Sequence, residues 1–344
     1  MSHPIGLKKC LHYPIKIDMD GKIDIYCEFG FLEKFCDSCP QSGGIPHKNH
    51  KMWSEYFELL SSKDSNIILT DINEKDYISH CNESISGQIK QLLLTEKFDS
   101  NQLVCLPNER KNMEIMEEDN QGESYFSSRE QTIFLMNRNK DECKRMEIDY
   151  GLLFISMDNL YDYHLLFSPD IQEINQNSQL WKCAETYRHP CNTIILVDRY
   201  LISKEDDIIK NNLDSLFDSL LPLNLKEAHF KIYIFTEDDS DNTKNERKKG
   251  IIQECLKSLR PSYSNPIKTE IILERHPDHD RYLLTNYGLF NSGFGFVLRD
   301  SERKQGTSLS FFPITHFSPS SKKNNVYRIV QNLRKRKESR MNTT

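Results

Sequence analysis

The chain has 344 residues, 37% hydrophobic and 28% charged, with 13 glycines, 13 prolines and ten cysteines. It exceeds one average domain and is too balanced for a collagen, a low-complexity chain or a disulfide-dense miniprotein. No run approaches the roughly 18 uncharged apolar residues that a membrane helix needs. The start MSHPIGLKK lacks the apolar run of a secretory signal, and irregularly spaced cysteines read as reduced thiols, so a soluble cytoplasmic protein without membrane partners is expected. The formal charge of −6 is uneven, because residues 322–340 hold eight Lys/Arg against one Glu and leave −13 for the rest. That pattern excludes broad electrostatic wrapping of nucleic acid by the body of the chain. The basic tail, residues 321–344, suits either added phosphate affinity or a solvated terminus.

In chain order, Cys36-x2-Cys39 followed by His47-x2-His50 comes first. The donor types and pair spacings suit a structural zinc knuckle at 36–50, while the short gap between the pairs equally suits a surface loop with free thiols or a redox pair. Cys27, or Cys10 with His12, offers substitute ligands. NIILTDI (66–72) reads as a buried strand, residues 84–94 as a helix with Ile85, Ile89, Leu92 and Leu93 on one stripe, and QLVCLP as a short strand. The stretch 107–129 is polar and acidic without a sustained apolar period, which marks an insertion. TIFLM (132–136), GLLFISM (151–157) and YHLLF (163–167) read as strands, and 169–179 as a linker. The region 1–180 is therefore expected to be mixed α/β, and no internal repeat is visible.

A second domain is expected over 181–320. TIILVD (193–198) is a continuous apolar run of the kind found in strands covered on both faces. Ser203 three residues before Asp206 has the form of a capping box, and Ile209, Leu213, Leu216, Phe217 and Leu220 recur on one helical face. KIYIFTE (231–237) and KTEIILE (268–274) flank a helix bearing Ile251, Ile252, Cys255, Leu256 and Leu259, and DRYLLTNY and GFVLRD read as closing strands. The predicted fold class is α/β, with the order β-α-β-α-β-β-β, the first three strands parallel and the last added as hairpins in one mixed sheet.

HDRYLLTNYGLFNSG opens the fourth of these strands, placing His279-x-Arg281, then Asn286 after four residues and Gly293 after six more. Residues two apart on a strand share a face, so His279 and Arg281 can address one phosphate, the guanidinium holding its oxygens and the imidazole standing near phosphorus. This spacing resembles the H-x-K-x4-D-x6-G motif of the phospholipase D superfamily, with Arg for Lys and Asn for Asp. The strand-helix repeat beginning at ILVDRY is similar to one half of that fold, over about residues 190–320. The resemblance implies a metal-independent phosphodiester site in which His279 attacks phosphorus, Arg281 and Asn286 assist, and a second copy of the motif protonates the leaving oxygen. Only one copy is present, so catalysis requires a homodimer. Asn286 carries no charge to stabilise an imidazolium, so binding is expected to survive better than turnover.

Arg275 and His276 lie close enough to enlarge an anion site, or are solvated loop residues. Tyr150, Tyr161, Tyr163, Phe311 and Phe312 offer stacking surfaces, though aromatics in apolar runs are more often core. Glu237, Asp238, Asp239 and Asp241 suggest a cation loop or a solvated one. The expectation is a protein that recognises phosphate-bearing ligands, nucleic acid above all, within a larger defence-type assembly or as a homodimer. A homodimeric nuclease and a phosphate-independent protein-interaction scaffold are the alternatives.

Overall fold

The computed structural model describes residues 23–39, 50–84, 87–105, 132–175, 178–275, 279, 281–320 and 324–341. The chain divides into two compact units. One comprises Met1–Lys144, Phe154–His164 and Ser318–Lys322, the other Arg145–Leu153, Leu165–Phe317 and Lys323–Thr344. Among the described residues no helix is long and apolar enough to cross a membrane.

The sheet of the first unit is built from β1 (Ile23–Cys27), β2 (Ser65–Leu69), β3 (Leu103–Cys105), β4 (Thr132–Leu135) and β5 (Leu153–Ile155), in the order β3-β2-β1-β4-β5. β1 is parallel to β2 and β4, and β2 is parallel to β3. Central β1 escapes the sequence pattern because Asp24 interrupts its apolar run. Asp24 is nevertheless buried, accepting a hydrogen bond from Asn66 Nδ2 at 3.0 Å. The accompanying helices are α1 (Phe29–Asp37), α2 (His50–Ser61), α3 (Glu74–Ser84) and α4 (88–99), while α5 (Lys140–Tyr150) begins in this unit and has residues 145–150 in the second. Within α4 the segment Gln91–Glu96 widens to π-helical geometry, which rotates the stripe so that Leu93 and Leu94 are the buried pair. YHLLF is not a strand. It lies in a 3₁₀ stretch, Leu160–Leu166, after a turn in which Asn159 Oδ1 accepts the Ser156 N–H at 2.6 Å.

The second unit holds a seven-stranded mixed sheet of β6 (Asp170–Ile174), β7 (Thr193–Val197), β8 (Lys231–Glu237), β9 (Lys268–Glu274), β10 (Tyr282–Thr285), β11 (Gly288–Ser292) and β12 (Thr307–Pro313). The order is β6-β12-β11-β10-β7-β8-β9. β7, β8 and β9 run parallel, and β10, β11, β12 and β6 are added antiparallel in turn. The boundary expected at 180 thus falls inside this unit, because residues 170–174, read as linker, pair with β12. Helix α6 (Asp206–Leu220) buries Ile209, Leu213, Leu216, Phe217 and Leu220, as its periodicity predicts. Its cap differs from the expectation, since Glu205 is the N-cap and Ser203 Oγ instead donates to Tyr200 O at 2.7 Å. Helix α7 (Asn242–Ser258) starts on Asp241, whose side chain accepts from Thr243 N–H and Lys244 N–H.

GFVLRD is not a strand, although its first four residues are buried. Its amides turn to side chains, Phe296 N–H to Asp198 and Leu298 N–H to Asn212 Oδ1 at 3.1 Å, before the short helix α8 (Asp300–Gln305). The basic tail forms helix α9 (Asn324–Met341), with Val326, Val330, Leu333 and Lys337 buried at helical spacing. Arg336 is ion-paired with Glu274, and its guanidinium lies 4.7 Å from the Phe235 ring centroid.

Candidate functional site

The pairing of Tyr282 with Val197 sets Arg281 beside Asp198, where the parallel strands of the second unit end. In open α/β sheets, ligands bind beyond the carboxyl ends of the strands. His279 and Arg281 therefore stand at the edge where a site is expected. Thr285 pairs with Ile194, which carries Asn286 to the opposite end of β10, about 17 Å away at the usual rise per residue.

Asn286 is fully buried. Its Oδ1 accepts the N–H groups of Asn192 at 2.9 Å and Thr193 at 3.2 Å, while its Nδ2 donates to Asn192 Oδ1 at 3.1 Å. It locks the β10–β11 hairpin to the start of β7 and has no route to the His279 imidazole. Gly293, by contrast, is brought back to the site, since its carbonyl accepts a hydrogen bond from Arg281 Nη1.

Three residues that the motif does not contain complete the edge. Arg199 follows β7 and grips Glu237, at the end of β8, with two hydrogen bonds of 3.0 Å from Nε and 2.6 Å from Nη2. Its remaining arm, Nη1, lies 3.1 Å and 3.0 Å from the two ring nitrogens of His279, straddling them. A guanidinium carries no acceptor, so the imidazole nitrogen taking this contact offers its lone pair. Tyr200 is the platform, with the Arg281 and Arg199 guanidinium carbons 5.2 Å and 5.6 Å from its ring centroid. Arg281 Nε is buried and makes no hydrogen bond. Beneath them lies Asp198, whose pKa is pushed up by burial and pulled down by the amides of Phe296 and Tyr200, then by Arg281 and Lys204.

Neighbouring charges are already used. Lys204 Nζ holds Glu302 at 2.6 Å, Lys244 pairs with Asp239, and Asn245 Nδ2 donates to Asp238 Oδ1 at 2.6 Å. The acidic loop is thus spent on Arg199, on Lys244 and on capping α7. The signal for the missed residues was Asp198-Arg199-Tyr200 directly after an uninterrupted apolar strand.

The other sequence candidates fall elsewhere. Arg275 is exposed, and His276 lies outside the described residues. Phe311 is core, stacked on Tyr187 at 4.7 Å, and Tyr161 and Tyr163 belong to the 3₁₀ stretch of the first unit. Cys36 is buried on α1, which pushes its thiol up to about 12, Cys39 is half-buried, and His50 begins α2. His47 lies outside the described residues, and among the described residues no three His, Cys, Asp or Glu side chains cluster tightly enough to hold a metal ion.

No family model matches the chain, and no curated protein matches it. Among solved structures it is similar to the crystal structure of polyphosphate kinase from Porphyromonas gingivalis, at 12% identity and a TM-score of 0.29. The match covers 52% of this chain and 28% of that one, so the chain spans well under a third of that protein's length. A likeness this loose carries no argument about residues or chemistry.

Proposed function

We propose that the second unit is a phospholipase D-like module that binds a phosphate group of a nucleic acid through Arg281, His279 and the Arg199 Nη1 arm that lies against the His279 ring. The observation that carries this reading is the Arg281 guanidinium, set on Tyr200 with Nη1 alone hydrogen-bonded among the described residues, to the Gly293 carbonyl, beside an exposed imidazole. Guanidinium donors held in a fixed direction are the groups best suited to phosphate oxygens. Binding is favoured over cleavage because Asn286 is consumed by the hairpin and Glu237 is held by Arg199. Nucleic acid is favoured over lipid because α9 turns its apolar residues inward and so presents no apolar face to insert into a bilayer.

Fluorescence anisotropy with a labelled single-stranded 12-mer tests the reading. Arg281→Ala is expected to weaken binding about tenfold, the loss of one charged hydrogen-bonded contact. Binding that ignores both Arg281→Ala and added salt sinks it in favour of a scaffold. The exposed imidazole also favours a second reading, a homodimeric metal-independent nuclease with His279 as nucleophile. Cleavage in EDTA that disappears in His279→Ala would establish that reading.

A further inference from the structure

The phosphate edge hangs from a residue that no ligand can touch. Asp198 is 2% exposed, and both of its carboxylate oxygens are engaged. Oδ1 accepts the Tyr200 N–H at 3.1 Å, and Oδ2 accepts the Phe296 N–H at 2.7 Å. Those two amides belong to the two supports of Arg281. Tyr200 supplies the ring beneath its guanidinium, and Phe296 ends the turn 292–296, whose Gly293 carbonyl takes Nη1. The turn is closed by Ser292 Oγ donating to Gly295 O at 2.6 Å and Gly295 N–H donating to Ser292 O at 3.3 Å. Gly295 adopts φ +94°, and a β-carbon there would stand 2.6 Å from Asp198 Oδ2 and 3.1 Å from Arg281 Cδ. Only glycine lets the backbone approach carboxylate and arginine stem this closely.

We infer that Asp198 is the positioning residue of the phosphate site, one buried carboxylate that fixes, through Tyr200 and the 292–296 turn, the direction in which Arg281 presents its free donors. The inference rests on reading this edge as a phosphate site. Since Asp198 meets no ligand, its influence passes through Arg281. Asparagine at 198 keeps the volume but turns one acceptor into a donor facing a backbone N–H, so one support of Arg281 loses its anchor.

The salt dependence of 12-mer binding by the full chain separates positioning from general stability. Wild type, Asp198→Asn, Arg281→Ala and the double variant are compared. Arg281→Ala is expected to reduce the slope of log K against log salt by about 0.7, one phosphate contact on a single strand. Asp198→Asn is expected to reproduce most of that change and to add nothing once Arg281 is absent. Gly295→Ala presses on the same carboxylate from the other side and carries the test if Asp198→Asn does not fold, with the same non-additivity expected. A wild-type slope in Asp198→Asn, or full additivity with Arg281→Ala, overturns the positioning role while phosphate binding stands. Wild-type protein that does not bind the 12-mer overturns the phosphate reading, and the inference with it.

Discussion

Both units end parallel strands in charged side chains, but the two edges are saturated in opposite senses. In the first unit Glu28, after β1, is 6% exposed. Its Oε2 accepts the Asn137 N–H at 2.7 Å and its Oε1 faces Arg138 Nη2 at 3.4 Å. Asp71, after β2, accepts the Phe29 N–H at the start of α1 at 2.7 Å. A β-carbon on Gly30 would meet Asn137 Nδ2 at 2.2 Å, so the crevice is also filled. The protein's own carboxylates occupy the places that strand ends and a helix N-terminus offer to a foreign anion. In the second unit the carboxylate lies beneath and the cations stand at the rim. The carboxyl edge of a sheet locates a site, and the sign and saturation of its groups decide what that site can hold.

Removing the filler from the closed edge should have the largest effect. Glu28→Ala leaves Arg138 and the Asn137 amide without their partner, a loss of about 3 kcal/mol for breaking a buried pair. Urea or thermal unfolding of the full chain measures it, with 12-mer affinity expected to stay at the wild-type value. A loss below about 0.5 kcal/mol, the level of an ordinary surface change, would make that edge as open as the other.

Acid should distinguish the two units next, through a histidine of the second that lies away from its open edge. His189 is packed against the Tyr287 ring and 3.2 Å from Thr285 Oγ1, and burial pushes its pKa down to about 4. Its unfolded value is near 6.5, so between these limits the unfolded chain binds more protons and stability falls as pH falls from 6.5 towards 4. Glu28 and Asp71 have the opposite sign. Burial raises both, so through their raised range the folded state binds more protons and stability falls as pH rises. Asp198 shares that sign in the second unit, so His189→Phe is needed to isolate the imidazole, and it should flatten the acid limb of the unfolding midpoint. An unchanged acid limb in the variant would remove His189 as its source.

Within the open edge the two arginines should rank unequally. Arg281→Ala costs the tenfold already argued. Arg199→Ala should cost about threefold, since most of its fork is committed to Glu237 and an exposed pair contributes little. Equal losses in the anisotropy titration would show that Glu237 releases Arg199 to the ligand.

The second unit was legible because β7 is an uninterrupted apolar run, β8 and β9 carry apolar centres, and α6 shows a clean helical stripe. His279 and Arg281 were visible as alternate residues, but β10 begins only at Tyr282, so both precede the strand on which they were expected. Hidden from sequence were the groups that only tertiary contact supplies. Arg199 reaches His279 across 80 positions, and Asn286 reaches Asn192 across 94, so neither role leaves a local pattern. β1 and the segment 296–298 failed for a related reason: buried polar side chains, Asp24 in one and Asp198 and Asn212 beside the other, break or replace the regular pairing that periodicity detects.

The smallest effect is expected on α9, where the sequence shows its densest positive charge. Arg336 is held by Glu274, and Lys337 lies over the Tyr233 ring at 5.1 Å and is only 9% exposed, so neither is available to a ligand. Arg328 and Lys335 face solvent, where charges beyond a Debye length of about 8 Å are largely screened. Replacing either with alanine should weaken 12-mer binding less than about twofold at physiological salt. A loss above fivefold for Lys335→Ala would mean that the strand runs along α9, making the helix part of the binding path and Arg281 one contact among several. The inward turn of Arg336 and Lys337 argues against that path, because a helix evolved to track a polyanion gains nothing by spending two cations on its own sheet.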